Sequence, residues 1–403
     1  MRNVLLIGIG GVYNYGCEAI VRGTVNILKS INPEVKISYA SYNYEDDVQR
    51  LTDCDIHIIQ RKRIGRWSFH NIMRKLLSLI RINYVLPYDS TDWIDGYDTV
   101  FSIGGDIYTL YPDGAYDASL PLFLEKCQAK GIKYVLWGAS VGKFEKNSKA
   151  LAFFKKHLER IDLIVTREWV TVDYLKSLGI VQNVVFAPDP AYFVECPFWE
   201  KNEKTQGITL GINLSPLSAL YHYGNLEIAI NKQVEAICGL VREINCRLIF
   251  LPHVFSNSMN DNDLSYLEQI ANKVRAKGYS VDVVNSDPGF IGLKKFLNKC
   301  DFVIAARMHC AVNAITMNIP TVFLSYSEKA KGMAEYVYNT KNAVLSLSEF
   351  EDYGKVANII KKWDEKSCIN STYEKNYACI RNSSRSNKNG SFGKGISEKY
   401  KGL

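Results

Sequence analysis

The chain is predicted to be an α/β protein of two Rossmann-like domains, each built on a parallel sheet. Short apolar runs of strand length alternate with amphipathic segments of helix length from end to end, the mark of successive βα units. At 403 residues and 47% apolar content, the chain exceeds what one ordinary core encloses. The rhythm breaks over Glu195 to Gln206, ECPFWEKNEKTQ, which is charged, carries a proline and lacks periodicity. A linker there separates an N-terminal domain, 1–194, from a C-terminal domain, 207–365.

In the first half, the strand-like runs are Asn3 to Ile7, Lys36 to Tyr39, Ile56 to Ile59, Thr99 to Ile103, Tyr134 to Trp137, Leu163 to Thr166 and Val184 to Ala187. Helical periodicity falls on Glu18 to Ser30, Leu120 to Lys130 and Val170 to Leu178. The second half restarts with Ile208 to Asn213. It continues through Asn231 to Ile244, Arg247 to Leu251, Leu264 to Lys277, Ser280 to Val284, Leu293 to Lys299, Phe302 to Ala305 and Thr321 to Leu324. The C-terminal segment, 366–403, is basic. From Asn382 it is Ser, Asn, Gly and Lys with almost no apolar residues, a composition that predicts a disordered or peripheral tail.

A net charge of +7 suits acidic small molecules, an anionic membrane surface or nucleic acid. No nucleic-acid-reading signature accompanies it, so no nucleic-acid partner is expected. Ten cysteines are scattered without a Cys-x-x-Cys pair, the pattern of a reducing cytosol. The opening Val4 to Ile7 run is too short for a signal sequence and no run is long enough to span a bilayer, so a cytoplasmic protein is expected. Residues 61–87 break the α/β rhythm. They hold seven Lys or Arg and no acid, with Ile72, Met73, Leu76, Leu77 and Ile80 at helical spacing. A basic amphipathic helix lying at the inner face of a membrane and a helix packed on the first domain both fit this pattern.

The most informative stretch is Asp301 to His309, where an apolar strand ends and delivers Arg307 and His309 to its mouth. In parallel α/β sheets ligands collect beyond the carboxyl ends of strands, so a fixed cation and a titratable imidazole there point to an anionic substrate. Period-two alternation predicts that the two side chains point the same way. Cys310 to Met317 then reads as a helix whose amino end adds N–H groups and positive dipole.

Other strand ends carry further candidates. Gly8 to Ile20 begins with a glycine turn and offers Asn14, Gly16 and Glu18 at a helix start, without the spacing of a dinucleotide fingerprint. Gly104-Gly105-Asp106 and Gly138-Ala139-Ser140-Val141-Gly142 follow two more strands, so these glycine loops should gather at one rim. Arg167 is a candidate second anion clamp, with Glu168 placed to orient it. Asp189, between two prolines, is stiffened for a helix cap or a hydrogen bond to a sugar hydroxyl. In the second half, Asn213 closes the first strand, His253 is a second candidate base, and Lys329 is a candidate phosphate contact. No His, Cys or carboxylate cluster has metal-ligand spacing, and neither a Walker loop nor Gly-x-Ser-x-Gly is present.

In order along the chain, these elements resemble the polysaccharide pyruvyl transferase family. The matching residues are Gly11 to Ile20, Gly104-Gly105-Asp106, Gly138 to Gly142, Arg167-Glu168, Asp189-Pro190-Ala191, Arg307-Met308-His309, and Pro320 to Tyr326 with Lys329. The Arg-Met-His segment is the most specific of them. Cys17 stands where the family usually has Asp, Asp106 where a third Gly is usual, and Lys143 where a Pro is common. The resemblance implies a GT-B-like arrangement of two domains facing a cleft. It implies transfer of a carboxyethylidene group from phosphoenolpyruvate to two hydroxyls of one sugar, in a cell-surface polysaccharide such as a capsule or exopolysaccharide, or in its lipid-linked precursor. Arg167 and Arg307 would hold the donor's carboxylate and phosphate, His309 would move a proton, and no metal or organic cofactor is needed.

Two rival classes share the architecture. A GT-B glycosyltransferase would use Arg307 on the diphosphate of a nucleotide sugar and His309 or a first-domain carboxylate on the acceptor. A silent scaffold in a polysaccharide assembly complex would have no use for Arg167, Arg307 and His309.

Overall fold

A computed structural model of the protein describes all residues except 62, 63, 66, 81, 83–91, 112, 118, 195–206, 326, 327, 339–342 and 364–403, and omits the side chains of 259, 328–330, 335 and 336. The expected linker and C-terminal tail therefore lie outside the described residues. The chain divides into two compact units. Among the described residues, the first takes Met1–Val12 and Ile27–Asp189, and the second takes Tyr13–Asn26 with those from Pro190 to Trp363.

The first unit is built on seven parallel strands: β1 (Asn3–Ile7), β2 (Lys36–Ser41), β3 (His57–Gln60), β4 (Thr99–Ile103), β5 (Lys133–Ala139), β6 (Leu163–Thr166) and β7 (Val184–Phe186), in the order β3-β2-β1-β4-β5-β6-β7. Every residue of β4 is buried, as expected of a parallel strand with helices on both faces. Leu5, Ile7, Val100, Leu136 and Ile164 from the sheet pack with Phe123 and Phe154 from the helices and Phe144 from the loop after β5. Because β1, β4, β5 and β6 are neighbours, the loops after them share one rim. There the Ser140 N–H donates to the Gly105 carbonyl at 2.7 Å.

The second unit carries six parallel strands: β8 (Thr209–Asn213), β9 (Arg247–Phe250), β10 (Asp282–Val283), β11 (Phe302–Ala305), β12 (Thr321–Leu324) and β13 (Val344–Leu345), in the order β10-β9-β8-β11-β12-β13. The fold is thus the expected pair of parallel-sheet α/β units. Among the described residues, seven cysteines are free thiols. Burial pushes Cys127 and Cys300 up to about 12 and Cys246 up to about 11, which keeps these thiols protonated and inert.

Local chemistry moves several boundaries. The helix Leu226–Ile244 starts five residues before the apolar pattern at Asn231, because the Asn225 side chain caps it by accepting from the N–H groups of Glu227 and Ile228. The last strand residue before the Arg-Met-His segment is Ala305. Arg307 is the N-cap of a helix that runs Met308–Ile315, not Cys310 to Met317. Arg307 and His309 therefore do not alternate along a strand: one is a cap and the other sits in a first helical turn.

His157 is buried in the first core, its ring stacked on Tyr108 with centroids 5.4 Å apart and its Nε2 2.9 Å from the Tyr108 hydroxyl. Burial, with a smaller push from Arg160, lowers its pKa from the ordinary 6.5 to about 3. The unfolded chain thus binds this proton first, so stability present above pH 6.5 is lost as pH falls from 6.5 toward 3. Urea unfolding at pH 7 and pH 5 should show a loss approaching 1.4 kcal/mol per pH unit from this group, absent in His157→Gln. Equal pH slopes for the two proteins would refute it.

Candidate active site

In the second unit the site grows from the ends of β8, β9 and β11. Asn213, the last residue of β8, is buried, and its side-chain oxygen accepts from the Arg307 N–H at 2.8 Å. This fixes the backbone where the strand turns into the helix. The guanidinium is then held by two aspartates. Nε donates to Asp263 at 3.1 and 3.3 Å, and Nη2 donates to Asp263 at 2.8 Å and to Asp261 at 2.7 Å. Nη1 makes no hydrogen bond among the described residues, so one edge of the fork keeps its donors available.

Asp263 is the deeper partner. Its side chain is 0% exposed against 36% for Asp261. It also accepts from Asn213 Nδ2 at 3.2 Å and from the His253 N–H at 3.1 Å. Burial raises its pKa, and Arg307 together with these donors opposes that rise. For Arg307, burial works against the charge, but Asp263 and Asp261 outweigh it and the pKa is raised. A buried carboxylate is tolerated when it is paired and its lone pairs are filled, and this one is.

His309 is the second residue of its helix, and Gly16 lies against its ring. A Cβ on Gly16 would come closer than 3.0 Å to His309 Nδ1. Asn14 makes the turn that brings Gly16 there, its side chain accepting from the Gly16 N–H at 2.8 Å. It also forms an antiparallel bridge with Val254. Glu18 is 1% exposed. It accepts from Arg22 Nε at 2.8 Å and from the Phe290 N–H at 2.9 Å, where it caps the helix Gly289–Leu297. It thus ties the start of this segment to the helix Gly289–Leu297.

His253 is buried edge-to-face against Tyr15, centroids 5.2 Å apart. Its pKa is lowered well below 6.5 by burial, then by His309 and Arg307, so it is a neutral imidazole. His253 Nε2 and Asn313 Oδ1 are buried without a hydrogen-bond partner among the described residues. Asn313 falls in an apolar helix, where nothing in the sequence marks it.

The first unit holds Arg167 by the same means. Its Nη1 donates to Asp189 at 2.8 Å, its Nε donates to Ser140 Oγ at 3.1 Å, and Nη2 lies 3.7 Å from the exposed carboxylate of Asp106. Burial opposes the charge, Asp189 and Asp106 outweigh it, and the pKa is raised. Gly105 makes this possible, since a Cβ there would fall closer than 3.0 Å to the guanidinium. Glu168, expected to orient Arg167, instead accepts from Thr171 Oγ1 at 2.9 Å. Asp189, expected as a cap or sugar contact, is the partner that orients it.

Three contributors were missed in the sequence. Asp261 and Asp263 lie in a Met-Asn-Asp-Asn-Asp run that reads as polar helix-start chemistry. Trp169 follows the Arg-Glu pair directly, is 57% exposed, and stacks on Phe186 with centroids 4.2 Å apart and planes 9° off parallel. The Lys329 side chain lies outside the described residues. Among the described residues no cluster of three His, Cys, Asp or Glu could hold a metal ion.

The sequence model of the polysaccharide pyruvyl transferase family matches residues 14–328. The chain belongs to the polysaccharide pyruvyl transferase family. Membership makes it a transferase whose acceptor is a polysaccharide or sugar. In fold this pyruvyl transferase family member is similar to Anabaena HepE in complex with UDP and glucose, at 12% identity and TM-score 0.59 with 100% of each chain covered. It is also similar to S. aureus MnaA with UDP, at 12% identity and TM-score 0.56, covering 96% of this chain and 97% of that one. The UDP-GlcNAc 2-epimerase of Neisseria meningitidis bound to UDP-GlcNAc is a third, at 12%, TM-score 0.55, with 96% and 98% covered. At such identities the likeness shows the GT-B-like fold alone.

Gly16→Ala should push the His309 ring aside and lower pyruvyl transferase turnover at least tenfold, on the order expected for a misplaced catalytic group. Gly332→Ala, where a Cβ meets nothing within 4 Å, is the control. Steady-state turnover of the two variants checks this, and wild-type turnover in Gly16→Ala would contradict it.

Proposed function

We propose that the protein transfers a carboxyethylidene group from phosphoenolpyruvate to two hydroxyls of one sugar, in a cell-surface polysaccharide or its lipid-linked precursor, releasing phosphate and forming a cyclic pyruvate ketal. The observation that carries this reading is Arg307, locked by Asp263 with its Nη1 edge open, beside His309 in the first turn of the next helix. Family membership supports the pyruvyl class, and this geometry supports binding of a small anion.

The chemistry follows from the donor. Protonation of its methylene carbon makes the neighbouring carbon oxocarbenium-like, and a sugar hydroxyl adds there while giving its proton to a base. Phosphate then leaves with the bonding electron pair, and the second hydroxyl closes the ring. The two hydroxyl protons balance the one gained by carbon and the one carried by phosphate. His309 is the proton carrier in this scheme, since burial disfavours a proton on His253. Arg307 binds a donor anion through the guanidinium fork. Asp261, the more exposed partner of Arg307, would give way to that anion. The N–H groups at the start of the helix Met308–Ile315 favour negative charge in the same place.

On the acceptor side, Trp169 offers an exposed indole face held flat by Phe186, the surface on which a sugar ring stacks. Asp106 is the polar group at the same rim.

Thermal unfolding with phosphoenolpyruvate or with UDP-glucose separates this reading from glycosyl transfer, since a bound ligand raises the midpoint. We expect a shift with phosphoenolpyruvate, and a shift with UDP-glucose alone would overturn the assignment. Arg307→Lys should weaken donor binding on the order of tenfold, because one ammonium cannot match the fork. Asp261→Asn should tighten it roughly fivefold, about 1 kcal/mol, by removing a competing carboxylate. His309→Ala should lower phosphate release by about 10²- to 10⁴-fold with folding intact. Unchanged donor affinity in both Arg307→Lys and Asp261→Asn would sink the donor site. For the acceptor, Trp169→Ala should raise KM about tenfold at unchanged kcat, and an unmoved KM would remove the stacking platform.

A further inference from the structure

We propose that the helix Phe69–Leu79, with Trp67 before it and Ile80 after it, docks the protein on an anionic lipid bilayer. This goes beyond the reading of the active site and does not depend on it.

A short helix on a globular domain normally owes its stability to the apolar stripe it buries. No residue of this helix is buried. Phe69, Ile72, Leu76, Leu79 and Ile80 are all exposed, Leu79 to 77%. At about 100° per residue they fall on one face, with Met73 at its edge. Trp67, just outside the helix, is 83% exposed. The helix is nevertheless anchored at its start. Ser68 caps it by accepting from the Asn71 N–H at 3.3 Å, and Asn71 Nδ2 donates to the carbonyls of Ile64 and Gly65 at 3.2 and 2.8 Å. Of the two readings the sequence leaves open, packing on the domain demands a buried stripe, and among the described residues there is none, Met73 and Leu77 being only half-buried.

Charge selects the occupant. From Arg61 to Pro87 the chain carries seven Lys or Arg and no Asp or Glu, of which Arg61 is buried with its guanidinium over the rings of Tyr42 and Trp93 and the other six are left for the surface. Lys62, Arg63, Arg66 and Arg81 lie outside the described residues and count here by charge alone. A second copy of the same face would set like charges against one another. An anionic bilayer instead takes the apolar stripe into its headgroup boundary while Arg74 and Lys75 reach phosphates, each basic residue adding about 1 kcal/mol near the surface. The 11 residues of the helix extend roughly 16 Å, half the thickness of a hydrocarbon core, so it lies in the interface and does not span it. Among the described residues no helix is long and apolar enough to cross a membrane.

Flotation of the full chain with vesicles of phosphatidylglycerol and phosphatidylcholine tests the proposal. Binding should be at least about tenfold weaker with phosphatidylcholine alone and should fall as salt rises to about 0.5 M. Leu76→Glu with Leu79→Glu should abolish flotation. Arg74→Glu with Lys75→Glu should weaken it at least about tenfold. Because these side chains are exposed, unfolding midpoints and turnover of a soluble acceptor should not change. Failure of the wild type to float with phosphatidylglycerol would overturn the proposal, as would flotation undiminished in the Leu76→Glu, Leu79→Glu protein. A concentration-dependent dimer in sedimentation, abolished by those substitutions and without vesicle binding, would overturn it in favour of a second copy.

Discussion

A carboxylate buried against a guanidinium at the carboxyl end of a parallel strand organises each unit. Asp263 holds Arg307 in one, and Asp189 holds Arg167 in the other. Neither charge would survive alone in such surroundings, since taking a carboxylate or a guanidinium out of water costs several kcal/mol. Together, and with Asn213, the His253 N–H or Ser140 completing the hydrogen bonds, they form a rigid polar knot. The guanidinium cannot swing, so whatever it recognises must come to it.

That rigidity explains residues whose types otherwise look arbitrary. Gly105 is needed because the guanidinium of Arg167 occupies the space of a side chain, and Gly16 because the ring of His309 does. Asn213 is buried at a strand end because it joins the Arg307 backbone to Asp263. Glu18, in the glycine-loop segment, closes the start of a helix. The proposed transfer from a small anion needs such fixed donors and a titratable group nearby, and little else, because positioning and electrostatics supply much of the rate.

Much of this was legible in the sequence. Strand-length apolar runs gave both parallel sheets, and the Arg-Met-His segment pointed to the site and the family. What escaped were features that depend on groups distant along the chain. Asp261 and Asp263 went unmarked because nothing local shows that Arg307, more than forty positions on, lies against them. Glu168 was expected beside Arg167 by adjacency, yet a residue next in sequence at a strand end faces elsewhere, and Asp189 arrives from the end of β7. Period-two alternation failed at Arg307 and His309 because the strand had already ended at Ala305. The exposure of the basic amphipathic helix was likewise invisible, since periodicity reports that an apolar face exists and not what covers it.

The account rests on Arg307 being a clamp held open by Asp263, and a crystal structure of the protein with phosphoenolpyruvate examines that directly. It predicts a donor oxygen about 2.7–3.1 Å from Arg307 Nη1, with the pair to Asp263 intact and Asp261 turned away. Donor density remote from Arg307, or a guanidinium that abandons Asp263 to reach it, would contradict it.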